Sequence, residues 1–151
     1  MPMKPIRTWV VIADAGRARF FETRGRGTGL TAVDGMALEA ELAPSREIGS
    51  DRPGRSFESV GSTRHAMESP SDPHREQKRQ FARRIVEAVA AGQAARSFDR
   101  VVLVAPPVTM GDLRALLPGK LKAAVSAEVV ADLTNTPVSD LPAHLEDHVA
   151  L

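Results

Sequence analysis

The stretch RVVLVA at residues 100–105, stopped at once by Pro106-Pro107, sets the architecture. Its apolar residues run without alternation, and six positions are too few for a buried helix. The stretch is therefore a strand covered on both faces. Such a strand needs helices on each side, and the flanking sequence supplies candidates. On the carboxyl side, Thr109 can cap a short helix through Leu117, with Asp112 three residues on as a partial capping box. A second short helix follows over about 119–126, then a strand EVVADL at 128–133. Ser139 or Asp140 can cap a last helix ending near Val149.

On the amino side, Asp72 can cap a longer helix in which Pro73 takes the first position, where its missing N–H costs nothing. Phe81, Ile85 and Val89, with Ala82 and Val86 beside them, form its apolar stripe, while Arg79, Arg83 and Glu87 fall opposite. The helix should end between Gly92 and Ser97. Further upstream, RTWVVIA at 7–13 is a strand and Asp14-Ala15-Gly16 a turn. Residues 17–24 make a second strand, with Ala18 and Phe20 on one face and Arg17, Arg19 and Phe21 on the other. GRGTG at 25–29 connects to a weaker third strand over 30–38. The expected fold is α/β: a single domain over 1–151 whose mixed five-stranded sheet is an antiparallel meander followed by parallel strands, with helices on both faces.

Composition agrees with that reading. Hydrophobic residues make up 42% but aromatic residues only 4%, so the core must be built from Val, Leu, Ile and Ala. With no cysteine, thiolate and disulfide chemistry are excluded and a reducing cytoplasm is the expected compartment. No stretch approaches membrane-spanning length. The net charge of +1 conceals an asymmetry: all 20 Lys and Arg lie at or before Lys122, whereas residues 123–151 carry five acids and neither Lys nor Arg. A basic body with an acidic tail favours polyanion contact on one side; the alternative is an unevenly charged solvated surface.

Between the two halves lies a long stretch at about 45–72, with seven serines and a single aromatic residue, Phe57. It has too few apolar side chains to offset its ordering entropy, which predicts a flexible loop, least ordered over about 49–70. It carries Arg46, Arg52, Arg55, Arg64 and His65 and leads into His74, Arg75, Lys78, Arg79, Arg83 and Arg84 of the basic helix. Guanidinium forks pair bidentately with phosphate, so these residues form a candidate polyanion-binding surface. The competing reading is a solvated loop neutralised by its own Glu47, Asp51, Glu58, Glu68 and Asp72.

Other patterns are weaker. Gly25-x-Gly27-x-Gly29 resembles a nucleotide-binding fingerprint but opens no helix, so it is read as a turn. His144 and His148 are spaced to share a helix face but lack a third metal ligand. Asp14 closes the first strand, where metal-dependent nucleases keep a carboxylate, but a turn role suits it better. Ser56 and Ser59 near His65 have no orienting partner in local sequence. No catalytic residue, metal site or cofactor is expected.

VVIADAGRARFFE, DRPGRSFESVGSTRHAMES, DPHREQKRQFAR and FDRVVLVAPPVTMGDLRALL together resemble the bacterial host-attachment protein family over nearly the whole chain. The order of elements is similar to the middle domain of the archaeal and eukaryotic peptide release factors. In that family the loop before the long helix carries a Gly-Gly-Gln tripeptide. Residues 45–72 contain no glutamine, and Ala91-Gly92-Gln93 sits at the far end of the helix.

The resemblances imply a non-enzymatic binding protein that engages RNA, the ribosome or another polyanion through the arginine-rich loop and basic helix. The alternatives are a metal-dependent phosphodiester or phosphate-ester hydrolase using Asp14, and a module that binds a protein partner. Oligomeric state is not legible from the sequence.

Overall fold

The computed structural model describes residues 5–33, 35–40 and 73–151. The expected flexible loop and the Asp72 cap fall outside these residues. Six strands form one sheet among the described residues. They are β1 (Thr8–Ala13), β2 (Arg17–Thr23), β3 (Thr31–Ala32), β4 (Leu38–Glu39), β5 (Arg100–Ala105) and β6 (Val125–Val130). The order is β3-β2-β1-β5-β6, with β4 also paired to β2. β1 and β2 are antiparallel, while β1–β5 and β5–β6 are parallel. The mixed α/β sheet is as expected, but it has six strands rather than five. The stretch read as one strand over 30–38 is split: β3 pairs with Phe21 and Glu22, β4 with Arg17 and Ala18. Between them the chain leaves the ladder at Gly35, whose φ of 72° is a left-handed turn conformation.

The helices are α1 (Pro73–Ala94), α2 (Pro107–Leu116), α3 (Gly119–Ala124) and α4 (Leu141–Leu145), the last preceded by a 3-10 turn at Val138–Asp140. Both faces of the sheet are covered. Trp9, Val11, Phe20, Val101 and Leu103 pack beneath Phe81, Ile85 and Val89 of α1 and Met110 and Leu113 of α2. Val10, Ile12, Phe21, Val102 and Val104 pack against Leu133, Leu141 and Leu145 of the C-terminal segment. Alternation along β2 follows the sequence reading, with Ala18 and Phe20 under the helices and Phe21 on the other side.

Three local assignments are corrected. Pro106, in extended conformation, is the N-cap of α2. Thr109 is therefore inside the helix and buried, while Asp112 serves a distant partner rather than a capping box. The final strand starts directly where α3 ends and covers Val125–Val130 instead of 128–133. A register irregularity between Val101 and Val102 lets Val125 and Ala127 pair with those successive residues. As an edge strand with mostly exposed or half-buried positions, β6 lacks the apolar pattern that would mark its start. The last helix is only five residues long, with Pro142 in its first turn. His144 lies in it and His148 in the turn beyond, so the two do not share a helix face.

α1 ends in a six-to-one and five-to-two pair of backbone hydrogen bonds: Ser97 N–H to Gly92 O at 2.8 Å and Arg96 N–H to Gln93 O at 3.0 Å. The residue at the left-handed position is Arg96, with φ 58°. A side chain is strained there, because Cβ crowds the following carbonyl oxygen. Arg96→Gly should therefore raise stability by about 0.5–1 kcal/mol, the strain relief being partly offset by the greater freedom of unfolded glycine. Chemical denaturation reads this directly, and a loss of stability would mean the arginine makes a compensating contact.

Candidate functional site

α1 carries every described member of the candidate polyanion surface, but does not present them as one face. Phe81, Ala82, Ile85, Val86 and Val89 are buried against the sheet. Arg79, Arg83 and Arg84 consequently project from the exposed side with Glu76 and Glu87, while His74, Arg75 and Lys78 are half-buried. Arg79 Nη1 lies 3.6 Å from Glu76 Oε1, one turn back. Arg84 sits over the Phe81 ring at 5.3 Å and donates to the Glu39 carbonyl at 3.1 Å. Lys78 and Arg83 make no hydrogen bond or ion pair with other described residues.

Arg75 is engaged differently. Its Nη1 and Nη2 donate to Asp112 Oδ2 and Oδ1 at 2.7 and 2.5 Å, a bidentate fork joining the start of α1 to α2. The Asp112 side chain is only 11% exposed, so the pair is substantially withdrawn from water. Removing Arg75 would leave a nearly buried carboxylate without that partner. Its first role is thus to hold the two helices together. Sequence reading missed this contact because the partners are 37 residues apart and Asp112 also fitted a local capping pattern. Arg46, Arg52, Arg55, Arg64 and His65 lie outside the described residues.

At the carboxyl ends of the parallel strands, Asp14 has a structural task. Its Oδ1 accepts from the backbone N–H groups of Gly16 and Arg17, both at 2.8 Å, closing the β1–β2 turn. Its Oδ2 accepts from Thr134 Oγ1 at 2.8 Å, and the same hydroxyl lies 2.9 Å from Asp132 Oδ1. Arg19 strengthens this corner by donating to the Thr134 and Thr136 carbonyls at 3.1 and 2.8 Å. The meander is thereby tied to the C-terminal segment. Two carboxylates meet here, and among the described residues no group of three or more His, Asp or Glu is placed to hold a metal ion. The Gly25–Gly29 segment is a turn, as expected, with positive φ at all three glycines.

A mixed sheet covered on both faces by helical segments, with a long basic helix braced against its neighbour by an Arg–Asp fork, defines an α/β protein with a cationic helix surface. The chain belongs to the family described as "Protein required for attachment to host cells", which it matches over residues 9–145. Among solved structures, an archaeal translation termination factor, aRF1, is similar at a TM-score of 0.48 and 11% identity. That likeness covers 83% of this chain but only 30% of the factor, so the chain spans under a third of its length. No curated protein matches the chain in sequence. Among the described residues, no helix is long and apolar enough to cross a membrane.

Proposed function

We propose that this host-attachment family protein is a non-enzymatic binding protein that engages the phosphate backbone of RNA, including ribosomal RNA, through the solvent face of α1 and the arginine-rich segment preceding it. The observation that carries this reading is the exposure of Arg79 and Arg83 one turn apart, with Arg83 unpaired among the described residues and Arg52, Arg55 and Arg64 close upstream in the sequence. Exposed guanidiniums contact phosphate without reading sequence, and the chain has few aromatic residues for base stacking. Backbone contact is therefore the recognition mode this composition suits. Binding takes precedence over hydrolysis because both oxygens of Asp14 are occupied by donors from the turn and Thr134.

Each arginine that contacts a phosphate releases condensed counterions, so affinity should fall steeply with salt. Replacing Arg52, Arg55, Arg79 and Arg83 by Ala should flatten the slope of log K against log salt by roughly 0.7–0.9 per lost contact. Arg75 is kept, since its loss would disturb the α1–α2 fork. The control converts Arg26, Lys120 and Lys122 to Ala and Arg96 to Gly, removing equal charge elsewhere. Fluorescence titration of a labelled RNA at several salt concentrations makes the measurement. Equal flattening by both variants would reduce the reading to nonspecific charge, and no wild-type binding at low salt would leave a protein partner as the better account.

A further inference from the structure

The amino ends of the parallel strands gather several cationic side chains around a cleft, at the end of the sheet remote from the start of α1. The Arg75–Asp112 fork places the start of α1 near α2, just beyond the end of β5. Gly92, near the end of α1, abuts Trp9 close to the beginning of β1. β1, β5 and β6 begin on this side and antiparallel β2 ends here. Topology alone therefore gathers residues that are far apart in sequence. Ile6, Thr8, Arg24, Arg100, Ser126 and His148 line one cleft of about 510 Å³. An adjoining hollow of about 650 Å³ shares Ile6 and Arg24 and adds Arg7 and Asp99.

The charges on this rim are not all cancelled locally. Arg24 Nε lies 3.1 Å from Glu22 Oε2. Asp99 accepts from the Arg7 backbone N–H at 2.8 Å and lies 3.5 Å from its guanidinium. The backbone and side-chain hydrogen bonds from Arg7 hold the Asp99 carboxyl below its ordinary range, so it remains an anion directed to Arg7. The Arg100 backbone N–H donates to the Arg7 carbonyl at 3.2 Å and its charge helps to hold the Asp99 carboxyl low, but neither its guanidinium nor the His148 imidazole makes a hydrogen bond or ion pair among the described residues. A second guanidinium, Arg24, faces the same cleft through a salt bridge that is largely open to solvent, its own side chain being 60% exposed. Such a pair exchanges its carboxylate for a better anion at little cost.

The remaining lining is not purely polar. Ile6 is 46% exposed, one of four large hydrophobic residues left exposed among those described. Val149 faces the same cleft. Thr8 and Ser126 also line it at the strand starts. A guanidinium fork suits a phosphoryl group, and an apolar wall suits a flat or aliphatic body attached to it. The volume lies within the usual range for small-molecule sites. We propose that this cleft binds a small phosphate monoester whose body presents a flat face to an apolar wall, of the nucleoside monophosphate class, held by Arg100 and Arg24 and flanked by Ile6. This site is separate from the α1 surface and does not depend on the RNA reading.

The test titrates the full chain with adenosine monophosphate, inorganic phosphate and adenosine, followed by calorimetry and by amide shifts. The monophosphate should bind more tightly than phosphate alone, adenosine should fail to bind, and shifts should cluster at Thr8, Arg100, Ser126 and His148. Arg24→Ala with Arg100→Ala should weaken the monophosphate by about tenfold or more, the loss expected for charge-assisted hydrogen bonds. Arg79→Ala with Arg83→Ala should leave that affinity unchanged. Should the double Arg24/Arg100 variant fail to fold, the shift map and single Arg100→Gln carry the test. Absence of binding at millimolar monophosphate, shifts located elsewhere, or affinity indifferent to Arg100 would overturn the proposal. Equal affinity for phosphate and monophosphate would overturn the assigned ligand class.

Discussion

Leu103→Ala should lower the unfolding free energy by about 2–5 kcal/mol, the range for a large-to-small change in a packed core. Leu103 sits on β5, flanked by β1 and β6, and pairs with Val11 on one side and Glu128 on the other. It is 1% exposed, within the cluster that also holds Phe81, Ile85, Met110 and Leu113. Truncation there opens a cavity that strand neighbours on both sides and helices above cannot readily fill. Val102→Ala probes the opposite face, beneath Leu133, Leu141 and Leu145, with a smaller expected loss of about 1–3 kcal/mol. Against a typical total of about 5–15 kcal/mol, the leucine change alone approaches the stability of a marginal protein. Urea denaturation with both variants decides the matter. Losses below about 0.5 kcal/mol at both positions would be incompatible with β5 as the centre of a sheet buried on both faces.

The strong signals in the sequence were those in which local chemistry and burial agree. RVVLVA reads as a doubly covered strand because burial on both faces removes alternation, and β5 occupies those same residues. The stripe of α1 was legible because one side of the helix meets the sheet and the other meets water. Where tertiary geometry overrode local preference, the sequence was misleading. Pro106 displaced Thr109 as the cap because helix α2 begins immediately after the sheet ends. EVV looked like the start of a strand, yet β6 begins three residues earlier at Val125, where register with β5 outweighs hydrophobicity. The candidate site was legible only as composition. Which α1 cations are spent internally depends on Asp112, Glu76 and Glu39, and of these only Glu76 is a local neighbour. The cleft at the strand starts joins residues near 6, 24, 100, 126 and 148, a grouping no linear pattern announces.

Gly92 shows how a residue that reads as a helix terminator can instead be a packing requirement. It lies within α1, two residues before its end, and is buried against β1. A Cβ added there would sit 2.5 Å from Trp9 Cη2, 2.7 Å from Trp9 Cζ3 and 3.1 Å from Phe98 Cε2. The indole has little room to retreat. It contacts Phe20 edge-on at 6.0 Å between centroids and Phe98 at 4.8 Å, and its backbone is paired to β2 and β5. Gly92→Ala therefore sets two effects against each other. Helix propensity favours alanine by about 0.8–1.0 kcal/mol. Overpacking in a close-packed core costs about 1–3 kcal/mol, and two ring carbons inside 3 Å place this site toward the upper end. The expected net result is a loss of about 1–2 kcal/mol, measured by urea denaturation. Trp9→Leu supplies the decisive background. With the indole gone the two overlaps inside 3 Å disappear and only the tight 3.1 Å approach to Phe98 remains, so the same alanine should become close to neutral. Contacting residues couple in this way in a double-mutant cycle. A Gly92→Ala variant more stable than wild type, or one equally destabilised with and without the indole, would show that the close approach to Trp9 is not what requires glycine here.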